Sequence, residues 1–250
     1  MQYIGFVALS ALFVFFTTAL GAAFIYIFKS QESGKIGAFF LGTASGIMLA
    51  SSIWSLLLPS IEQAQENWGK LSFMPAAIGL LFGGMVLLLL EYFADYRAKG
   101  ANNSLFFSVT LHNIPEGLAV GFALGVAHAI GTTEAYVAAF GLAVGVGLQN
   151  IPEGFAVALP IYLQSGDKNK AVSYGIYSGL PEPFCVVLGA LLSSKLRSFQ
   201  PWLLAFAAGA MIFVVVKELI PQAQERYKNY GSVGALVGFV IMMALDVAFG

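Results

Sequence analysis

Leu111-His112-Asn113-Ile114-Pro115-Glu116-Gly117 recurs, nearly copied, as Leu148-Gln149-Asn150-Ile151-Pro152-Glu153-Gly154, and both copies lie inside long apolar runs. A carboxylate, an amide and a proline are each costly in such surroundings. On a helix, residues three and four apart share a face. Glu116 then stands beside His112 and Asn113, and Glu153 beside Gln149 and Asn150. Each carboxylate can serve two adjacent positions, one completed by His112 and Gln149, the other by Asn113 and Asn150. That describes two neighbouring cation sites bridged by Glu116 and Glu153. A donor set of His, Gln, Asn and Glu without thiolate suits Zn2+ and Cd2+, and also Fe2+, Mn2+ or Co2+. Mg2+ favours oxygen ligands and retained waters.

The prolines belong to the same argument. Pro115 has no N–H for the Leu111 carbonyl and Pro152 none for that of Leu148, so both helices are expected to kink or open there. A kink without function is the plainer alternative, and the repetition of Pro-Glu-Gly weighs against it. A third carboxylate, Glu182, follows in Gly179-Leu180-Pro181-Glu182-Pro183, again flanked by prolines. Each ionised group in hydrocarbon costs at least about 2.5–3.5 kcal/mol. Three converging carboxylates therefore call for compensation by divalent cations or by protons.

The elements that must position these residues are membrane spans. The chain of 250 residues is 58% apolar and 10% charged, against about 25% charged in ordinary soluble domains. The expected fold is an all-α membrane protein, a single transmembrane domain over residues 1–250 with eight helices: about Tyr3–Phe28, Ile36–Leu58, Pro75–Ala94, Leu105–Ala127, Ala135–Leu163, Ala171–Ser193, Pro201–Ile220 and Ser232–Phe249. The N-terminus lacks a basic region and a small-residue cleavage site, so the first apolar run is expected to remain as a span. Connections after the odd-numbered spans hold nine Lys or Arg and those after the even-numbered spans three. By the positive-inside rule the odd connections are cytoplasmic and both termini lie outside.

Leu57-Leu58-Pro59 with Glu62-Gln63-Ala64-Gln65-Glu66 ends span 2, and Leu219-Ile220-Pro221 with Gln222-Ala223-Gln224-Glu225 ends span 7 on the opposite side. With spans 4 and 5 also alike but antiparallel, the pattern is an inverted repeat pairing spans 1–3 with 6–8 and span 4 with 5. Such repeats hold transport sites near the midplane. Gly117, Gly121 and Gly125 in span 4, and Gly141 and Gly145 in span 5, are spaced to let helices approach closely, and are expected to bring the two motif copies face to face.

On the paired motif, the eight spans and the proline-flanked Glu182, the chain resembles the ZIP family of divalent-metal transporters, in its compact prokaryotic branch of GufA type. The resemblance implies a first metal position on His112, Glu116, Gln149 and Glu153. It implies a second on Asn113, Glu116, Asn150, Glu153 and Glu182. It further implies Met48 as an approach to the first metal from span 2, and an access route by Glu62, Ser55 and, at the inner mouth, Glu218. Many relatives carry histidine at Gln149, aspartate at Asn150 and histidine before Glu218, where this chain has Lys217. The neutral Asn150 lowers the anionic charge of the second position. His128 reads as a loop residue outside any motif.

The resulting expectation is a transporter that moves divalent transition-metal cations, Zn2+ foremost, into the cytoplasm by alternating access at a binuclear midplane site. It would sit in the inner membrane of a prokaryote, with the metal as substrate and no catalytic cofactor. Its partners would be the cation and the lipid bilayer, a homodimer is admitted, and the near-neutral charge gives no sign of a nucleic-acid partner. An enzyme is disfavoured, since no HExxH or paired serine–histidine pattern is present. A proton- or sodium-coupled carrier for a small organic substrate is the alternative, and it lacks a central basic residue to hold an organic anion.

Overall fold

The computed structural model describes residues 2–27, 33–97, 102–225 and 227–249. Among the described residues there is no strand, and eight helices are long and apolar enough to cross a membrane. With no water to satisfy the backbone inside a bilayer, helices that close their own hydrogen bonds are the economical solution. Span 1 is α1 (Gln2–Ala23) with a short 3-10 turn. Span 3 is α4 (Phe73–Arg97), span 4 is α5 (Asn102–Ile130), span 5 is α6 (Thr133–Ser165) and span 8 is α11 (Lys228–Phe249).

Spans 2 and 7 run further than the sequence suggests. Pro59 and Pro221 read as helix ends, yet each helix continues past its proline. Span 2 comprises α2 (Ser33–Ser51), a π-helical segment Ser52–Leu57 and α3 (Leu58–Trp68). Span 7 comprises α9 (Gln200–Val214), a π-helical segment Val215–Leu219 and α10 (Ile220–Gln224). The reason is local. Pro59 would clash with the Ser55 carbonyl and Pro221 with that of Lys217 in α-geometry, and a widened turn absorbs the clash without ending the helix. By contrast, α5 and α6 run through Pro115 and through Pro152 and Pro160 as helix.

Span 6 is discontinuous. It consists of α7 (Lys168–Gly179) and α8 (Pro181–Leu196), joined at Leu180. Proline is well suited to open a helix, since its missing N–H would have no partner there anyway. Glu182 therefore sits in the first turn of α8, where the positive end of the helix dipole favours a carboxylate.

The helices pack in pairs that obey the inverted repeat. The broadest contacts are α2 with α11, α5 with α8, α1 with α6, and α4 with α9. Exchanging spans 1–3 with 6–8 and span 4 with 5 turns the first of these pairs into the fourth and the second into the third. Gly117, Gly121 and Gly125 serve the α5–α8 pair, which corrects the expectation that they join spans 4 and 5, and Gly145 has, among the described residues, only Met242 of α11 near it. Gly117 meets α8, where a Cβ would lie 2.6 Å from the Glu182 carbonyl oxygen. Gly154 meets α1, where a Cβ would overlap the carbonyl oxygen of Thr18. The main apolar cluster draws on spans 1, 2, 4, 5, 6 and 7, including Met48, Ala119, Leu159 and Met211.

Candidate functional site

Spans 4 and 5 are joined by a tight turn in which Gly131 takes φ 78° and the Thr132 hydroxyl accepts from the Ala135 N–H to start α6. Only glycine adopts such a φ without strain. The turn sets α5 and α6 antiparallel, and the motif copies fall at matching depth. Glu116 is the central residue of α5, and Gln149 is the central residue of α6.

Glu116, Glu153 and Glu182 are all buried, as are Asn113, Gln149 and Asn150. Sharing a helix face accounts for their common orientation, but their hydrogen bonds cross between helices. Gln149 Nε2 donates to Glu116 Oε1. Asn113 stands near Glu153. Asn150 Nδ2 donates to Glu182 Oε1 at 2.7 Å. Two amides thus donate to carboxylates on neighbouring helices, Gln149 to Glu116 and Asn150 to Glu182. Asn113 Nδ2 also donates to the Ser178 carbonyl at 2.9 Å, and Asn150 Nδ2 to the Val14 carbonyl at 3.1 Å.

The other end of each amide is different. Asn113 Oδ1, Gln149 Oε1 and Asn150 Oδ1 are buried and have no hydrogen-bond partner. An unpaired buried amide oxygen costs roughly 1–3 kcal/mol, so three of them together demand a reason. Amide oxygens of this kind are able to ligate a cation. Among the described residues, no three His, Cys, Asp or Glu side chains gather closely enough to hold an ion by themselves. Among the described residues, the amides are the groups that would complete a cation site with the glutamates.

The remaining candidates fall in three places. His112 is on α5 one turn before Glu116, and its side chain lies outside the described residues. Met48 is fully buried in the main apolar cluster, among neighbours such as Met211 and Val157. The access-route residues lie apart from the glutamates. Ser55 is within the π segment of span 2, Glu218 within that of span 7, and Glu62 is exposed on α3. Glu218 is half-buried and accepts from Gln222 Nε2 at 3.4 Å. Lys217 is exposed, with its ammonium 5.4 Å from the centre of the Phe213 ring.

Two participants escaped the sequence reading. Thr18 on α1 is fully buried and donates to Glu182 Oε2 at 3.1 Å. Asp246 on α11 accepts from the Ser55 hydroxyl at 2.6 Å, and its Oδ2 is buried with no hydrogen-bond partner. Each carried a signal, a hydroxyl pair in an apolar span and a carboxylate in the last one. His128 is also not a loop residue. It ends α5, stacks on Tyr3 with ring centres 4.1 Å apart, and shares a 2.9 Å hydrogen bond with Tyr136.

Comparison with known proteins identifies relatives. The family described as ZIP Zinc transporter matches residues 97–246, which include both motif copies, Glu182 and Asp246. The chain is 32% identical to Zinc transporter GufA of Myxococcus xanthus, over 93% of this chain and 94% of that protein. It is 34% identical to Zinc transporter ZIPB of Bordetella bronchiseptica, over 99% of this chain and 82% of that one. With Zinc transporter ZIP11 of Homo sapiens the identity is 29%, over 97% and 96% of the two chains.

Proposed function

The chain belongs to the ZIP family of zinc transporters, and from that premise we propose that it carries divalent transition-metal cations, Zn2+ foremost, into the cytoplasm through a midplane site. It is a multi-pass integral membrane protein and not an enzyme. The observation that carries the reading is the set of three buried amide oxygens without partners, placed among three buried glutamates. A divalent cation needs oxygen and nitrogen lone pairs in a dry setting, and this core offers them.

The first position is assigned to His112, Glu116, Gln149 and Glu153, with Met48 beside it. The second is assigned to Asn113, Asn150 and Glu182, sharing Glu116 and Glu153. Amides contribute no charge, so the shared glutamates supply most of the attraction and keep binding weak enough to release. With both termini outside, Glu62 and the Ser55–Asp246 pair lie toward the outer side and Glu218 toward the cytoplasm. The paired helices related by the inverted repeat are suited to rock against each other and expose the site alternately. An organic anion would need a buried cationic anchor, and among the described residues no Lys or Arg is buried.

Zn2+ uptake into proteoliposomes tests the proposal. The wild-type protein should accumulate Zn2+ against a Mg2+ control, and Glu116→Ala and Glu153→Ala should not. Uptake by either variant at the wild-type rate would contradict the assignment.

A further inference from the structure

Glu182 is held from two helices at once. Asn150 Nδ2 on α6 donates to Oε1 at 2.7 Å, and Thr18 Oγ1 on α1 faces Oε2 at 3.1 Å. Both donors also face the Val14 carbonyl, each at 3.1 Å. A carboxylate has about four lone-pair positions, and this grip engages both of its oxygens. It also fixes which edge is presented, and a ligand fixed beforehand loses little freedom on binding.

The helix packing gives Thr18 a second distinction. Gly117 is where α5 meets the backbone of Glu182, and Gly154 is where α6 meets the backbone of Thr18. Since the repeat exchanges these helix pairs, Thr18 occupies in one half the seat that Glu182 occupies in the other. A carboxylate in both seats would set two like charges against each other in a dry core. A hydroxyl there donates to the carboxylate instead.

We propose that Thr18 is a positioning residue of the cation site, orienting Glu182 so that the second metal position is formed before the ion arrives. The inference rests on the reading of Glu182 as a cation ligand. Thr18 also packs by its methyl group, since a Cβ on Gly179 would lie 3.0 Å from Thr18 Cγ2. Two variants separate the roles: Thr18→Val keeps the shape and removes the donor, and Thr18→Ser keeps the donor and removes the methyl.

The test is calorimetric titration of the purified full-length protein with Cd2+, for the wild type, Thr18→Val, Thr18→Ser and Glu182→Ala. The wild type should bind two ions of unequal affinity, and Glu182→Ala should lose the weaker one. Thr18→Val should weaken that same ion about 10-fold, the low end for loss of an outer-shell partner, with the tighter ion unchanged. Thr18→Ser should behave as the wild type. If Thr18→Val binds as the wild type, or Thr18→Ser is impaired as far as Thr18→Val, the positioning role is overturned while the reading of Glu182 stands. A wild-type count of one ion, or a count unchanged in Glu182→Ala, overturns the reading of Glu182 and the inference with it.

Discussion

The pair formed by α5 and α8 and the pair formed by α6 and α1 are two renderings of one scaffold. In both, the glycine that follows a motif glutamate lets the partner helix close on the backbone, Gly117 on Glu182 and Gly154 on Thr18. At the seats themselves the side chains differ. One pair seats a carboxylate and carries His112, and the other seats a hydroxyl and carries Gln149 in the histidine's place. Backbone approach is thus common to the two halves and the side chains at the seats are not, which on the proposed reading would let a symmetric frame hold two unequal cation positions.

The largest effect should come from the residues common to both halves. Glu116→Ala and Glu153→Ala should each reduce Zn2+ uptake by at least about 100-fold, since each removes a ligand shared by both positions rather than an outer-shell partner. Unequal losses in the two variants would break the equivalence of the halves. Next come the glycines. Gly117→Val and Gly154→Val each drive a side chain into a backbone carbonyl, and overpacking of this kind costs about 1–3 kcal/mol. Thermal unfolding in detergent should show both variants destabilised to a similar degree, and a variant of wild-type stability would refute the close approach at that seam.

The access routes extend the comparison to spans 2 and 7. Ser55 and Lys217 are the residues whose carbonyls the prolines displace, one in each π segment. Asp246→Asn should lower uptake about 10-fold, as expected for loss of a charged group that orients a ligand on the route. Its check is the uptake rate at low Zn2+ concentration, where entry dominates. At the cytoplasmic end Lys217→Gln should have the smallest effect, a rise of about twofold, because an exposed charge is largely screened by salt. Uptake measured at two ionic strengths would show that difference shrink as salt rises.

The eight spans were readable because each is a long apolar run, and the motif glutamates because a carboxylate inside such a run stands out. The pairing of helices was not readable. Small-residue spacing marks a close-packed seam without naming its partner, so Gly117 suggested α6 when it serves α8. Prolines were misleading for a related reason. Pro59 and Pro221 read as stops, but a π turn costs a long buried helix less than unsatisfied backbone does. Thr18 and Asp246 were missed because a lone hydroxyl or carboxylate acquires meaning only from what packs against it. The Gln149–Glu116 link between the motif copies depends in the same way on the register of two helices joined by Gly131 and Thr132.

The central claim is that a cation binds between the two motif copies, held by their shared glutamates and by amide oxygens. Anomalous diffraction at the zinc absorption edge, from crystals of the protein grown with Zn2+, tests it most directly. The account predicts the strongest peak between α5 and α6, within ligand distance of both Glu116 and Glu153 and of Gln149 Oε1. A strongest peak away from both glutamates, for example at Ser55 and Asp246 alone, would contradict it.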